Sequence, residues 1–268
     1  MSLDSARTAA PNADGWMGAR AFDYWLAAYK RTWRGSVFSD LLSPVLFLAA
    51  MGFGLGSLVD RGAGIGGVPY VEFIAPGVLA ASAMQSAVGE STFTVMGAIK
   101  WQRQYHAMLA APLRVTDVLL GHLAYVALRV TIASSVFLAV ATALGAIRSW
   151  WAVLALPVAV LCGMAFAAPV FAFAALQEEA SGFAALFRFV VTPMFLFSGT
   201  FFPIEQLPGF LQPVAWVTPL WHAVDLCRDL CLGAAATLPA LGHVAFLALW
   251  VVGGLALARR SFTRRLVD

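Results

Sequence analysis

The side chains best suited to chemistry in this sequence are four charges within stretches that are otherwise apolar: Asp40, Glu90, Arg129 and Arg188. A charge inside a membrane-spanning helix is costly, and it marks a substrate or ion path or a pair that holds helices together. Glu90 is seven residues from residue 97, and Arg129 is eight residues from residue 121. These spacings correspond to depths of about 10 and 12 Å at about 1.5 Å per residue.

We therefore predict an ion pair between Glu90 and Arg129, with all four charges in the inner leaflet. Three roles remain open for them: fixing the packing of helices, contacting a substrate, or facing a water-filled inner vestibule.

Nucleotide and metal chemistry are not indicated. A Walker A loop places Lys directly after Gly, whereas the two lysines, Lys30 and Lys100, follow Tyr and Ile. The glycines of 62–67 match a dinucleotide pattern, but no strand precedes them. None of the four histidines begins an HExxH motif, and Cys227 and Cys231 have no His or third Cys at ligand spacing. We predict no catalytic residue, no metal site and no cofactor in this chain.

Composition defines the class of protein that must position these charges. The chain has 268 residues, of which 61% are hydrophobic and 12% charged, and its mean hydropathy is +0.81. A soluble domain carries about 25% charged residues, so an ordinary soluble enzyme is excluded. The 20 Phe and 9 Trp exclude a disordered chain. An all-α polytopic membrane protein remains.

A helix needs about 20 mostly apolar residues to cross a bilayer, and the sequence divides into six such runs. We predict transmembrane helices at 37–59, 72–97, 121–147, 151–176, 183–203 and 239–258. The predicted domains are a cytoplasmic N-terminus over 1–36, a membrane domain over 37–258 and a basic cytoplasmic tail over 259–268.

The distribution of Lys and Arg predicts the orientation, because cytoplasmic segments retain positive charge. With the N-terminus inside, the inner segments hold Arg7, Arg20, Lys30, Arg31, Arg34, Lys100, Arg103, Arg114, Arg259, Arg260, Arg264 and Arg265. The outer loops hold only Arg61, Arg148 and Arg228. Both termini are therefore predicted to be cytoplasmic. The net charge of +3 is spread over span ends, so no nucleic-acid partner is implied.

Two segments facing the cytoplasm have distinctive patterns. Before the first span, Phe22, Trp25, Leu26, Tyr29 and Trp33 recur at helical spacing beside basic residues. This pattern is typical of an amphipathic helix in the plane of the inner headgroups, although a helix packed on a soluble partner has the same pattern.

The loop between the second and third spans mixes aromatic residues, Met and Arg, as protein contact surfaces do. We predict a short helix there that begins near Lys100, is ended by Pro112, receives a soluble partner and passes force to the membrane. A plain connecting loop is the alternative. The candidate contact residues are Arg103, Tyr105, His106, Met108, Pro112 and Arg114.

The outer connection between the fifth and sixth spans is apolar and rich in proline. Such a segment suggests short re-entrant helices, which are tolerated where other spans cover the broken backbone; a passive cap is the alternative. The candidate gate residues are Gly199, Phe201, Phe202, Pro203, Pro208 and Pro219.

Several of these segments together resemble a known family. They are FIAPGVLAASAM at 73–84, Glu90, YHAMLAAP at 105–112, DVLLG at 117–121, FSGTFFPIEQLPGF at 197–210 and WVTPLWHAVD at 216–225. The sequence resembles the ABC-2 type exporter permeases, most of all the nodulation-factor (lipo-oligosaccharide) branch, with daunorubicin-resistance permeases as relatives.

The resemblance implies a six-span subunit of the bacterial inner membrane that forms a homodimer and pairs with two copies of a separate ATPase subunit, which binds ATP and Mg²⁺. It also implies a coupling helix at 105–114, an extracellular re-entrant gate at 199–219 and an interfacial connecting helix at 16–34. The expected function is export of an amphipathic lipid, lipo-oligosaccharide or hydrophobic drug. A secondary transporter or channel, or an integral membrane transferase, is the alternative.

Overall fold

The computed structural model describes residues 17–62, 64–234 and 237–267. Within these ranges, the side chains of residues 32–34, 36–41, 43, 44, 53 and 62 are not described. Within the described ranges the chain is helical, and the only β feature is an isolated bridge between Ile65 and Val68. The prediction of an all-α protein is confirmed.

The helices follow one another through short turns. The α-helices are α1 (Gly18–Ala49), α2 (Gly56–Val59), α3 (Tyr70–Ser91), α4 (Phe93–Lys100), α5 (Gln104–Leu109), α6 (Val115–Ala143), α7 (Ala155–Leu176), α8 (Ser181–Leu186), α9 (Thr192–Phe197), α10 (Gln212–Trp216), α11 (Pro219–Leu232) and α12 (Thr237–Leu266). Ala50–Leu55 and Phe187–Val191 are π-helical, and Asp60–Gly62, Trp150–Leu154 and Ile204–Gln206 are 3₁₀ turns.

Four helical segments in the described part of the chain are long and apolar enough to cross a bilayer: Tyr70–Lys100, Val115–Ala143, Trp150–Leu176 and Thr237–Leu266. They coincide with the predicted second, third, fourth and sixth spans. The predicted first and fifth spans correspond to shorter apolar helices, Val45–Val59 and Ser181–Phe197. The fifth ends early because Gly199, with φ of +79°, turns the backbone into the left-handed region. Six crossings therefore remain a prediction.

The N-terminal helix differs from its prediction. Where the sequence predicted an interfacial helix followed by a separate span, α1 runs without a break from Gly18 to Ala49. This stretch has no proline before Pro44, and one internal glycine costs a helix only about 1 kcal/mol. Its aromatic face is also buried in protein rather than turned to lipid, since Trp25 and Tyr29 are 6% and 8% exposed.

Small side chains set the close packing of the bundle. α7 packs against α3, α6 and α12, α1 packs along α6, and α11 covers α3. At the α1–α6 crossing a Cβ on Gly121 would lie 2.6 Å from Cβ of Ala21. At the α7–α12 crossing a Cβ on Gly254 would lie 2.5 Å from Cδ of Pro169. Backbones this close require glycine, as in other membrane helix pairs.

Candidate functional site

α5 stands apart from α4 and α6 because irregular backbone flanks it on both sides. Arg103, directly before α5, adopts the left-handed conformation with φ of 51°, and Pro112 lies in the turn that leads to α6. The predicted helix from Lys100 to Pro112 is thus divided: Lys100 ends α4, and α5 covers only Gln104–Leu109. α5 therefore projects as a separate short element at one end of the bundle, here called the α5 end.

The predicted contact residues of this segment divide between two faces. Arg103, His106, Pro112 and Arg114 are exposed, and Met108 is half-buried. Tyr105 is the exception, with no exposed surface. In this conformation Tyr105 cannot touch a partner, because its ring points into the bundle.

Tyr105 contacts a buried group of aromatic side chains, here called the aromatic cluster: Trp25, Tyr105, His122, Phe171 and Phe262. The Tyr105 hydroxyl lies 2.5 Å from Nδ1 of His122. The Trp25 ring stacks on the imidazole with centroids 3.8 Å apart and planes at 12°. Burial raises the pKa of Tyr105 well above its usual value, so the hydroxyl stays protonated.

The aromatic cluster joins five helices. Trp25, Tyr105 and His122 belong to α1, α5 and α6, and the other two members, Phe171 and Phe262, belong to α7 and α12. Phe171 lies 5.0 Å from His122, and Phe262 lies 5.4 Å from Tyr105, both between ring centroids. No pattern in the sequence indicates this role for His122, because its partners lie on other helices of the bundle. The sequence pattern around Trp25 predicts a helix at the headgroups or on a soluble partner, and it does not indicate the contact with α6.

The predicted ion pair between α3 and α6 is present. Nη1 of Arg129 lies 3.2 Å from Oε1 of Glu90, and the guanidinium also lies over the Tyr29 ring at 5.0 Å. The pair therefore links α1, α3 and α6. Arg188 is placed differently, on an exposed face of the π-helical segment Phe187–Val191. The side chain of Asp40 lies outside the described part of the structure.

A second charged contact, which no sequence pattern indicates, lies at the α5 end. Glu178, after α7, pairs with Lys100 of α4 at 3.1 Å and with Arg265 of α12 at 2.5 Å. Hydrogen bonds from Arg265 and then Lys100 hold the pKa of Glu178 below its usual value. The sequence identified Lys100 and Arg265 only as orientation signals, yet here they also connect three segments.

At the opposite end, residues 198–219 form what we call the cap segment. Ser198, Gly199 and Thr200 are buried, and a Cβ on Gly77 of α3 would lie 2.8 Å from the carbonyl oxygen of Thr200. The segment is therefore seated directly on the α3 backbone.

The predicted gate residues line this segment in different environments. Phe201, Phe202 and Pro203 are half-buried, Pro208 is exposed, and Pro219 is buried in the first turn of α11. The Phe201 ring lies 5.7 Å from Phe47 and 4.9 Å from Phe195, between centroids. Aromatic contacts thus tie the cap segment to the first and fifth apolar helices.

Arg228 of α11 fastens the cap segment, a role that the sequence did not reveal. Its Nη2 donates to the carbonyl oxygen of Gly199 at 2.7 Å, and its Nε donates to that of Phe73 at 3.3 Å. The guanidinium also lies over the Phe73 ring at 3.9 Å. The sequence counted Arg228 as an outer-loop cation, and only the fold shows that its donors face backbone carbonyls of α3 and of the cap segment.

Residues 23–232 match the family model of the ABC-2 type transporter. Nodulation protein J of Rhizobium leguminosarum bv. trifolii is 34% identical over 268 residues, covering 100% of both chains. Nodulation protein J of Rhizobium meliloti (strain 1021) is 33% identical over 260 residues, covering 97% of each. Inner membrane transport permease YadH of Escherichia coli (strain K12) is 24% identical over 234 residues, covering 78% of this chain and 84% of YadH.

The seating of the cap segment on α3 predicts different outcomes for two alanine substitutions in one helix. Gly77→Ala places a methyl group against the Thr200 backbone, so we expect the free energy of unfolding to fall by about 1–3 kcal/mol. Gly89→Ala meets nothing within 4 Å, and it should be neutral or stabilising by up to about 1 kcal/mol. Denaturant unfolding in detergent measures both. Equal stability of the two variants would contradict this contact.

Proposed function

This chain belongs to the family of ABC-2 type transporters, and on that premise we propose that it is the permease subunit of an exporter. In this proposal it moves an amphipathic substrate out of the cytoplasm or the inner leaflet, driven by a separate ATPase subunit. The observation that carries the proposal is the two-sided segment around α5, in which Arg103, His106 and Arg114 are exposed while Tyr105 of α5 is buried in the bundle.

We propose six crossings in the bacterial inner membrane, with both termini cytoplasmic. The shorter apolar helices Val45–Val59 and Ser181–Phe197 then serve as the first and fifth spans. The basic residues support this orientation, because Lys100, Arg259, Arg260, Arg264 and Arg265 lie at the α5 end. The proposed domains are the N-terminus over 1–36, the membrane domain over 37–258 and the tail over 259–268.

The partner proposed for α5 is an ATPase subunit in two copies, which binds ATP and Mg²⁺. ATP binding brings the two copies together, and each α5 moves with the ATPase surface on which it rests. A second copy of this chain completes the permease, and the two membrane domains alternate between inward-open and outward-open states. The cap segment is then the extracellular gate, and it opens when Arg228 releases Gly199.

The proposed substrates are lipo-oligosaccharides, lipids and hydrophobic drugs, which all combine an apolar part with a polar head. Arg188 supports a site for that head. It lies seven residues into the apolar helix Ser181–Phe197, about 10 Å from its start, and is exposed. Charges at such depth face a protein interior or an aqueous cavity, and π-helical segments are frequent at functional sites.

Reconstitution tests the proposed function. The chain is purified with an ATP-binding-cassette subunit of the same organism and placed in proteoliposomes, where release of a fluorescent lysophospholipid and a fluorescent acylated oligosaccharide is followed. We expect transport that requires ATP hydrolysis and stops with vanadate. Transport that continues without the ATPase subunit would instead establish a secondary transporter.

The exposed surface around α5, where we propose that the ATPase subunit binds, can be tested by reversing one charge, with a matched control in the same preparation. Arg103→Glu reverses an exposed charge beside α5, and we expect about tenfold weaker binding of the ATPase subunit, equivalent to about 1.4 kcal/mol. Arg61→Glu reverses an exposed charge at the opposite end and should leave binding unchanged.

For the Glu90–Arg129 pair, we expect the effects of the two single substitutions on transport not to add in the double variant. Glu90→Gln and Arg129→Gln should each impair transport, because removing one partner of a largely buried pair costs about 3–5 kcal/mol. The variant with the two charges exchanged should partly regain transport, because the attraction is restored. Transport rate and the amount of folded protein are measured together. Full activity in either single variant would exclude the pair from the mechanism.

Arg188 predicts a change in apparent affinity. Arg188→Gln should raise the KM for an anionic lysophospholipid about tenfold, equivalent to about 1.4 kcal/mol, and should raise it less for a zwitterionic one. Arg188→Lys retains the charge and serves as the control. An equal KM for both lipids in Arg188→Gln would assign Arg188 a structural role.

A further inference from the structure

The contact between Tyr105 and His122 connects the element proposed to receive the ATPase subunit with the membrane helices. Tyr105 is the only residue of α5 that is fully buried. Its hydroxyl lies 2.5 Å from Nδ1 of the His122 imidazole on α6, and the Trp25 ring of α1 stacks on the same imidazole with ring centroids 3.8 Å apart. Three helices that are separate in the chain thus meet at one side chain, His122.

The covalent connections of α5 do not fix its position as this contact does. A left-handed residue, Arg103, precedes α5, and a turn containing Pro112 follows it. The apolar side chains of α5 and of this turn, Met108, Leu109 and Leu113, pack against the core but are only partly buried. The buried hydrogen bond is directional, and its partners lie in an apolar surrounding where a lost bond is not readily replaced. Displacement of α5 must therefore move His122 or break this bond.

Trp25, His122 and Gln104, the residue before Tyr105, each have a polar atom without a partner among the described residues. Nε1 of Trp25, Nε2 of His122 and Oε1 of Gln104 are buried and make no hydrogen bond within the described residues. Buried polar atoms are normally paired, and exceptions call for an explanation. Gln104 is the first residue of α5, so a shift of α5 changes the position of its acceptor relative to the two nitrogens. A second position of α5 that pairs these atoms would account for them.

We propose that Tyr105, His122 and Trp25 are positioning residues that carry a displacement of α5 to α6 and α1. Gln104 accepts a hydrogen bond from one of the two ring nitrogens in the alternative position. This proposal rests on the proposed function, because it assigns the route by which ATPase motion reaches the membrane helices. None of the three residues touches the substrate or ATP.

The test compares two removals of a tyrosine hydroxyl. Tyr105→Phe keeps the ring and removes the bond to His122. Tyr24→Phe removes the hydroxyl of a neighbouring, half-exposed tyrosine on α1 and is the matched control. The readout is transport of the fluorescent lysophospholipid per ATP hydrolysed, in complexes with the ATPase subunit. We expect this ratio to fall at least about fivefold in Tyr105→Phe, the lower range of coupling between sites, with ATP hydrolysis retained, and to be unchanged in Tyr24→Phe.

A double variant separates coupling from stability. Tyr105→Phe/His122→Phe replaces both partners with apolar rings, a change that leaves no unpaired partner from the original bond. If the bond transmits motion, the melting temperature returns toward that of the wild type while transport per ATP stays low. If the bond only stabilises the fold, both return together, and the proposal is overturned.

The result also distinguishes this inference from the proposed function. A wild-type complex that shows no ATP-dependent transport contradicts the exporter itself. A wild-type complex that transports, beside a Tyr105→Phe complex with the same ratio of transport to hydrolysis, contradicts only the role of Tyr105.

Discussion

The need to satisfy polar groups within protein is the constraint on which this structure depends. In hydrocarbon a backbone group without a partner is costly, so spanning segments are helical, and irregular backbone occurs only where other elements cover it. The cap segment shows how this is met. It leaves the helix at Phe197 through a left-handed glycine, and the carbonyl oxygen of Gly199 accepts a hydrogen bond from the Arg228 guanidinium of α11. One cation thus permits an irregular segment to lie against α3.

The same constraint explains the distribution of charge. Glu90 and Arg129 neutralise one another between α3 and α6, and Lys100, Glu178 and Arg265 form a three-part contact at the α5 end. Contacts of this second, exposed kind contribute little to stability. They nevertheless relate the ends of α4, α7 and α12 to one another. Arg188 differs from both groups because its side chain is exposed on the surface of this single chain.

Much of the fold could be predicted from hydropathy alone, because length and apolar composition suffice to define a helix such as α7 or α12. The Glu90–Arg129 pair was predictable because depth can be counted along a helix. The continuity of α1, the inward position of Tyr105 and the contacts of Arg228 could not be predicted. Each depends on which helices are neighbours: Trp25 is buried by α6, Tyr105 by His122, and Arg228 by α3. No local pattern distinguishes a tyrosine that faces a partner from one that faces its own bundle.

α3 connects the two ends of the molecule. Phe73, near its start, accepts a hydrogen bond from Arg228, Gly77 seats the cap segment, and Glu90, near its end, pairs with Arg129. Glu90 follows Phe73 by 17 residues, or about 26 Å along a helix. Thr92, with φ of −97° and ψ of −94°, then separates α3 from α4. The contacts at both ends of the molecule therefore lie on one helix, and Thr92 separates that helix from α4. α3 is thus linked to α6 through the ion pair and to the cap segment through Gly77, whereas α4 is linked through Lys100 to Glu178.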